Sequence, residues 1–318
     1  MKIPFLVIVL LLSSVISCEL FNSDDEPTPE IPGKLVYSAP DGNGNYQIYT
    51  SLTNGTKRKQ LTKFENHSAA EPSWSPDGEQ IVFISNLNGS AHEFPIYIMN
   101  ADGSNLRTMH QPTGTQRFTA GNNPKWSPDG TKIAFEQCIN CAAGGNFDIY
   151  VYDFENDEVA QVTDIPGIDF SPKWSSNSEI FFISNRDYYK TDSLRAKEDI
   201  YSFNFANNEI KRITTTGEIG SFTFRPFRTE ILVRPSDGDS TWYYMDYIKN
   251  DSTVLEFPPS FPRTFSSATK WSSAGNYILI RIGGFPSNEV KYSFYSLSTK
   301  ELIDFSETPQ LINNMDWF

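Results

Sequence analysis

One short motif, x-Pro-x-Trp-Ser, recurs along this chain at a spacing of roughly fifty residues. In its two fullest copies the motif continues Pro-Asp-Gly and ends at Gly78 and Gly130, while shorter copies surround Trp174 and Trp271. An apolar run follows each copy, and after a loop comes a second run such as residues 148–152. Repeats of about forty to fifty residues with several short strands indicate a radial β-repeat, in which each period is one blade.

Each full repeat divides into four strands, and the first strands are predicted at 72–75, 124–127, 172–175, 221–225 and 269–272. The two ends of the repeat region supply one more blade. Residues 34–62 contain three strands, and residues 314–318 supply the missing first strand. Sharing one blade between both ends closes the ring and removes exposed sheet edges. The sequence therefore predicts an all-β fold, a six-bladed β-propeller with terminal-strand closure, over residues 34–318.

The repeated tryptophans are predicted to be structural. They occupy one position of the first strand, as Trp74, Trp126, Trp174, Trp271 and Trp317. We expect them between neighbouring blades, where they bury a large area and donate the indole N–H to a fixed acceptor. The alternative is a platform for carbohydrate, but regular spacing in one strand favours the core. The Pro-Asp-Gly segments are predicted to form tight turns.

The motif x-P-x-W-S-P-D-G-x-x-I-x-F, followed by D-I-Y-x-M-N-x-D-G, resembles the TolB-type propeller repeat, a distant relative of the WD repeat. The resemblance spans residues 34–318 and is most specific in the second and third blades. It implies the propeller fold. We expect no counterpart of the small α/β domain that precedes the propeller in TolB, which is a soluble periplasmic protein. The resemblance therefore does not imply membership of the Tol system.

The first residues are typical of an export signal. Lys2 supplies a positive charge, and residues 4–15 form an apolar run that is too short to span a bilayer. The segment ending at Cys18 resembles the lipobox of bacterial lipoproteins, in which the peptide is cut before the cysteine and the sulfur is acylated. We predict a signal peptide at 1–17 and a lipid anchor of the palmitate type on Cys18. The alternative is an ordinary secretory peptide with a chance cysteine.

Residues 18–33 are rich in proline and acidic side chains, which predicts a solvated tether after the lipidated cysteine. Glu19 stands where aspartate would favour retention in the inner membrane, so the outer membrane is predicted. The acidic run 23–26 resembles surface-export signals of some lipoproteins, and a plain flexible linker explains it equally well. The protein is therefore expected to face either the periplasm or the cell surface.

The formal net charge of −13 indicates a surface that repels phosphate backbones and anionic lipid head groups. We expect no nucleic-acid partner, contact with the membrane through the N-terminal lipid only, and a monomer. Aromatic residues make up 14% of the chain, which suits sheets packed face to face.

Besides Cys18, the chain has only Cys138 and Cys141, in a C-x-x-C arrangement. In a cytosolic protein this spacing would suggest redox or metal chemistry. No second C-x-x-C and no nearby histidine accompany it, so we predict a disulfide formed in an oxidising compartment. A free pair or a zinc site are the alternatives.

The sequence does not show the equipment of an enzyme. It contains no G-x-S-x-G elbow, no H-E-x-x-H and no P-loop. The three histidines, His67, His92 and His110, do not recur at equivalent positions of the repeat. We therefore predict no catalytic residue, no metal and no cofactor.

Loop length indicates where a partner binds. Connections from first to second and from third to fourth strands are short, whereas most of the others are long, and alternate connections lie on opposite faces of a propeller. Long loops on a rigid ring usually carry function. The predicted partner-binding residues on this long-loop face are Arg117, Phe118, Tyr188, Tyr189, Arg195, Lys197, Arg263 and Phe285. The alternative is that these loops drifted in length under weak constraint.

Three functions follow from this reading. The first is a non-catalytic, lipid-anchored propeller that presents its long-loop face to a protein or an envelope glycan. The alternative is a polysaccharide lyase or hydrolase acting in the propeller channel. A scaffold without a preferred face is the third. The channel lining distinguishes them, because several inward acidic or histidine side chains around one point would favour the enzyme.

Overall fold

The computed structural model describes residues 31–87, 95–109, 121–138, 146–188, 197–236, 241–257, 267–283, 290–305 and 312–318. Pro32–Phe318 form one compact unit, and Met1–Ile31 separate as another that lies almost wholly outside the described residues. All regular elements of the described residues are β-strands, which form six four-stranded antiparallel sheets. None of these residues belongs to a helix that could cross a membrane.

Each sheet is one blade, and its strands are numbered in chain order. The first three blades comprise β24 Asn313–Trp317, β1 Lys34–Pro40, β2 Tyr46–Leu52 and β3 Lys59–Gln60; β4 Ala69–Trp74, β5 Gln80–Ser85, β6 Ile96–Asn100 and β7 Arg107–Thr108; and β8 Gly121–Trp126, β9 Lys132–Cys138, β10 Phe147–Asp153 and β11 Glu158–Gln161.

The other three blades comprise β12 Asp169–Ser176, β13 Glu179–Ser184, β14 Asp199–Asn204 and β15 Glu209–Arg212; β16 Ile219–Phe224, β17 Glu230–Pro235, β18 Tyr243–Asp246 and β19 Asp251–Val254; and β20 Ser267–Trp271, β21 Tyr277–Gly283, β22 Val290–Ser296 and β23 Leu302–Asp304. The sequence predicted the number of strands correctly, including the degenerate fifth blade.

The last strand completes the first blade, as predicted. β24 pairs antiparallel with β1, with Leu35 opposite Trp317. The backbone N–H of Lys34 donates to the Phe318 carbonyl at 2.8 Å, and the Phe318 N–H donates back to the Lys34 carbonyl at 2.9 Å. The Phe318 ring also packs on the next blade, where a Cβ on Gly78 would lie 2.5 Å from it. The two ends of the propeller are thus joined by a sheet.

A β-bulge interrupts the innermost strand of every blade. In β4 the register with β5 shifts between Ala70 and Ser73. Glu71, and at the equivalent places Asn123, Ser171 and Asn314, adopt positive φ, between 46° and 55°. The bulge extends each strand on its N-terminal side, so that β4 begins at Ala69 rather than at the predicted Pro72. The repeated x-Pro of the motif therefore marks the bulge.

Apolar side chains pack between neighbouring sheets. One core joins the second and third blades through Val82, Ile98, Phe135 and Tyr152, which are all buried. Another joins the fourth and fifth through Phe181 and Ile231. Similar cores join the first and second blades, the third and fourth, and the fifth and sixth. Full burial of such a side chain contributes about 1.5–3 kcal/mol, so the ring is stabilised chiefly between blades.

The tryptophans of the motif lie in these inter-blade cores. Trp74, Trp174, Trp271 and Trp317 are buried, while Trp126 is half-buried. Only part of the hydrogen-bond prediction is confirmed. The indole N–H groups of Trp174 and Trp317 donate to the carbonyls of Lys125 and Pro32, at 3.0 and 3.1 Å.

The other three motif indoles, in Trp74, Trp126 and Trp271, have no acceptor among the described residues. Their burial is therefore driven by apolar area and ring packing rather than by a fixed hydrogen bond.

Candidate functional site

The innermost strands of the six blades surround a central cavity of about 1030 Å³. They are β24, β4, β8, β12, β16 and β20. Several of their motif residues line the cavity, including Trp74, Trp126 and Trp174. The size matches typical small-molecule sites, which measure about 300–1,000 Å³. We call this cavity the channel.

The residue before each motif tryptophan forms a ring in the channel, since the strand register is the same in every blade. Around the ring this position is Asp316, Ser73, Lys125, Lys173, Thr223 and Lys270. Each pairs with the second strand of its blade just beyond the bulge, as Lys125 does with Ala134. Three cations and one anion therefore occupy one level of the channel.

Asp316 is the acceptor that links three blades at this level. Its Oδ2 accepts hydrogen bonds from Ser73 Oγ at 3.0 Å and from the backbone N–H of Trp74 at 2.9 Å. Its Oδ1 lies 2.7 Å from Lys270 Nζ. Burial opposes ionisation of Asp316, but the Lys270 and Lys125 charges and the hydrogen bonds outweigh it and hold the pKa of this carboxyl below its usual range.

Lys125 and Lys173 are adjacent in the ring, half-buried, and without an ion pair or side-chain hydrogen bond to any residue the structure describes. Burial lowers the pKa of both. For Lys173 burial and the repulsion of Lys125, which exceed the attraction of Asp316, lower the pKa to about 8. For Lys125 the charges of Asp316 and Glu71 partly offset the burial.

Two carboxylates lie near the bulges and are held by strand backbone. Glu136 Oε1 accepts from Asn123 Nδ2 at 3.0 Å and from the Ser171 N–H at 2.8 Å. Glu71 Oε2 accepts from the Asn123 N–H at 2.5 Å. Burial raises the pKa of Glu136 despite these hydrogen bonds. Both carboxylates therefore join one blade to the next.

The channel lining matches only in part the pattern that would favour an enzyme. Acidic side chains do converge, but the carboxylates of Glu71, Glu136 and Asp316 are all used in contacts between blades. No histidine among the described residues lines the channel. In the described part of the chain, no group of three or more His, Cys, Asp or Glu side chains is arranged to hold a metal ion.

On the long-loop face, the structure describes two predicted partner-binding residues, Tyr188 and Lys197. The half-buried Tyr188 ring lies between Lys197 Nζ and the Arg212 guanidinium, at 5.6 and 5.2 Å from its centre. The Tyr188 hydroxyl donates to Asp199 Oδ2 at 3.1 Å and accepts from Arg212 Nη2 at 2.5 Å. Asp199 is fully buried. Tyr188 is thus anchored to its own blade, while Lys197 is exposed.

The remaining predicted partner-binding residues lie outside the described residues, namely Arg117, Phe118, Tyr189, Arg195, Arg263 and Phe285. Cys18 and Cys141 lie outside them as well. Cys138, at the end of β9, is buried and disulfide-bonded. Pairing with Cys141 stays a prediction.

Sequence reasoning missed two signals. The lysine before the tryptophan is present in the motif copies at Lys125, Lys173 and Lys270, and its recurrence could have indicated a cationic channel. A threonine two positions after a Gln or Arg also recurs at the end of the fourth strand. In one copy, Thr214 Oγ1 donates to Asp199 and accepts from the Ile200 N–H. These bonds connect the end of the fourth strand to the third strand.

The fold and the channel define a six-bladed β-propeller whose polar channel is lined by its innermost strands. Its repeats are similar to those of TolB-like β-propellers, on the similarities that follow. Over 146 residues the chain is 27% identical to the Tol-Pal system protein TolB of Anaeromyxobacter dehalogenans, covering 46% of this chain and 30% of that protein. The crystal structure of TolB from Acinetobacter baumannii superposes with a TM-score of 0.65 at 20% identity, covering 91% of this chain and 67% of that one.

A second kind of relative is similar over a shorter stretch. The chain is 37% identical over 90 residues to the uncharacterized peptidase YuxL of Bacillus subtilis, covering 28% of this chain and 12% of that protein. This chain therefore spans less than a third of the length of these curated relatives. No family model matches the chain.

Proposed function

We propose that this chain is a lipid-anchored, non-catalytic propeller of the cell envelope that binds a protein or an envelope glycan through its long-loop face. The observation that carries the proposal is the unequal length of the connections on the two faces of the ring. On one face they are tight turns, such as Trp74 to Gln80, where Asp77 Oδ1 accepts from Ser75 Oγ at 2.6 Å. On the other, the longest connection runs from Ser184 to Asp199.

The asymmetry has exceptions that narrow the site. Three connections on the long-loop face are short: Pro40 to Tyr46 within the first blade, Arg212 to Ile219 between the fourth and fifth, and Gly283 to Val290 within the sixth. The longest connections run from Thr108 to Gly121, from Ser184 to Asp199 and from Val254 to Ser267, so we place the partner on this face of the ring. Long ordered connections on a rigid scaffold are where binding usually resides.

The relatives support a binding role in the envelope, since one of them is named as part of the Tol-Pal system. The acidic tether would hold the ring away from the membrane, with the long-loop face free. An outer-membrane position, with Cys18 carrying the lipid, belongs to the same proposal. Replacement of Cys18 by serine should move the protein from the membrane fraction to the soluble fraction. A variant that still needs detergent to be extracted from membranes would refute lipid attachment at Cys18.

The face is tested with two matched alanine variants. The first changes Phe118, Tyr189 and Arg195 on the long-loop face. The control changes Phe227, which is 94% exposed in the turn between β16 and β17 on the opposite face. Immobilised protein is incubated with an envelope extract, and bound species are quantified against the unchanged chain. Loss in the first variant alone supports the proposal, and equal loss in both refutes the assignment of the face.

A lyase or hydrolase acting in the channel is the second candidate. One observation favours it. The pKa of Glu136 is raised and the pKa of Lys173 is lowered, both side chains line the channel, and such shifted pKa values are common at catalytic sites. Acidic and neutral polysaccharides incubated with the protein would show new reducing ends or unsaturated sugars if the channel is catalytic. Loss of that activity in Glu136→Gln would establish it, and no turnover of either class would exclude these substrates.

A further inference from the structure

The channel carries an excess of positive charge inside a strongly acidic protein. Four cations line it, Lys125, Lys173, Lys270 and Arg281, against the carboxylates of Glu71, Glu136 and Asp316. The whole chain has a formal charge of −13, so chance composition would favour an acidic lining.

None of these carboxylates forms an ion pair with the two adjacent lysines among the described residues, although their charges partly offset the burial of Lys125. Asp316 lies 2.7 Å from Lys270, and both glutamates accept hydrogen bonds from backbone at the bulges. The Lys173 ammonium group lies instead over an aromatic ring, with Nζ 5.5 Å from the centre of Phe222. The charges that act on the pKa of Lys173 are those of Lys125 and Lys270, which lower it, and that of Asp316, which raises it.

A half-buried ammonium group without a counter-ion costs folding free energy. Two of them side by side cost more, because each disfavours the charge of the other. Natural chains break such rules mainly at functional sites, where a ligand supplies the missing interaction. The missing interaction here is a negative charge between Lys125 and Lys173.

We infer that the channel is a binding site for a small anionic molecule whose phosphate or carboxylate group sits between Lys125 and Lys173. A cavity of about 1030 Å³ has room for a ligand larger than the anionic group alone. The half-buried Trp126 and the rings of Phe170 and Trp174, which also line it, provide apolar surface for the rest of that molecule. Ser73 and Thr223 add hydroxyl groups at the level of the ring.

This site is separate from the proposed long-loop face, because its residues lie on the innermost strands. It does not require the lipid anchor or a macromolecular partner. A failure of the partner experiment therefore leaves the channel inference standing, and the reverse also holds.

The test is calorimetric titration of the purified full chain at constant ionic strength with inorganic phosphate, with citrate and with glucose. Phosphate and citrate distinguish the two anionic groups, and glucose is the neutral control. We expect one molecule of phosphate or citrate to bind per chain and glucose not to bind. In the double variant K125M/K173M the anion should bind at least about tenfold more weakly, since hydrogen bonds to charged groups are the strong ones.

Lys211→Met is the matched control, an exposed lysine on the outer strand β15 that should leave the affinity unchanged. Melting curves verify that each variant is folded. If the double variant is unfolded, Lys125→Met and Lys173→Met are titrated singly, and each should weaken binding. Absence of binding to the unchanged chain, or equal binding to the lysine variants, overturns the inference.

Discussion

The Trp74 backbone N–H donates to Asp316 Oδ2 at 2.9 Å, although the two residues are 242 positions apart. Asp316 belongs to the last strand and Trp74 to the first strand of the second blade. The same carboxylate lies 2.7 Å from Lys270 of the sixth blade. One side chain therefore connects the sixth, first and second blades, at the place where the two ends of the chain meet.

Replacement of Asp316 by asparagine should destabilise the propeller by about 1–3 kcal/mol, because it removes the charge that accepts hydrogen bonds from Ser73 and from the Trp74 N–H and that pairs with the partly exposed Lys270. Urea unfolding at neutral pH measures the change. Asp304→Asn is the control, since Asp304 pairs with Lys291 at the surface, with both side chains more than half exposed, and should cost less than about 1 kcal/mol.

The loss of stability caused by Asp316→Asn should decrease at low pH. The pKa of Asp316 is lowered in the folded protein, so its charge stabilises the fold above the unfolded-state pKa of about 3.9. The difference between the two proteins should be constant above that pH and shrink as pH falls through the folded-state pKa. A difference that does not shrink would show that the charge of Asp316 is not what stabilises the closure.

Removal of residues 313–318 should unfold or aggregate the propeller. The truncation exposes the edge of β1 and removes Trp317, which is 3% exposed and packs 4.9 Å from the Phe294 ring. Loss of a buried tryptophan alone costs about 3–5 kcal/mol out of a typical total of 5–15 kcal/mol. Circular dichroism and light scattering give the readout. Removal of residues 19–30 should leave the melting temperature nearly unchanged, and a chain ending at Ile312 that melts normally would disprove closure by β24.

Lys173→Met should stabilise the protein at neutral pH by about 1–3 kcal/mol, since one pKa unit corresponds to 1.36 kcal/mol. Burial and Lys125, followed by the weaker effects of Asp316 and Lys270, set the pKa of Lys173 to about 8, below its unfolded value of about 10.4. The charged Lys173 destabilises the folded protein by its full amount below pH 8. This destabilisation disappears as the pH rises towards the unfolded-state pKa.

The gain from Lys173→Met should therefore be largest below pH 8 and decrease between pH 8 and about 10. Chemical denaturation at several pH values measures it. Lys211→Met, at an exposed position, should show no such dependence. A pH-independent gain would mean that the methionine acts through packing rather than through the missing charge.

The disulfide of Cys138 should persist in the purified protein. Without reductant, neither Cys138 nor Cys141 should react with an alkylating agent, and mass spectrometry should find both after reduction. Reduction should lower stability only slightly, because so short a closed loop removes little entropy from the unfolded chain. Full alkylation of both thiols without reductant would contradict the predicted pair.

Local patterns predicted most of the fold. The second strands β5, β13 and β17 begin at the predicted residues, because an apolar run after a tight turn is visible in a short window of sequence. The first strands were predicted too short on their N-terminal side. Glu71 and its equivalents adopt positive φ in a bulge, and the x-Pro of the motif marks that bulge only once the strand register is known.

The candidate site was less predictable. The sequence predicts Tyr188 as a partner-binding residue but not the hydrogen bonds of its hydroxyl to the buried Asp199 and to Arg212. That network joins residues of the second-to-third-strand connection, the third strand and the fourth strand, and its formation depends on how those strands pair. Loop length indicated the face, but side-chain contacts within it are a property of the packed blade.

The sequence by itself determined the repeat, the number of blades and the strand that closes the ring, since each depends on residues close together in the chain or on one repeated spacing. Only the tertiary structure decided that Lys125, Lys173, Lys270 and Asp316 share one channel. They lie on four different strands, and ring closure alone brings them to a common level. Which lysine is neutralised depends on distances across the ring: Asp316 is paired with Lys270, and the two other charges are left facing the cavity.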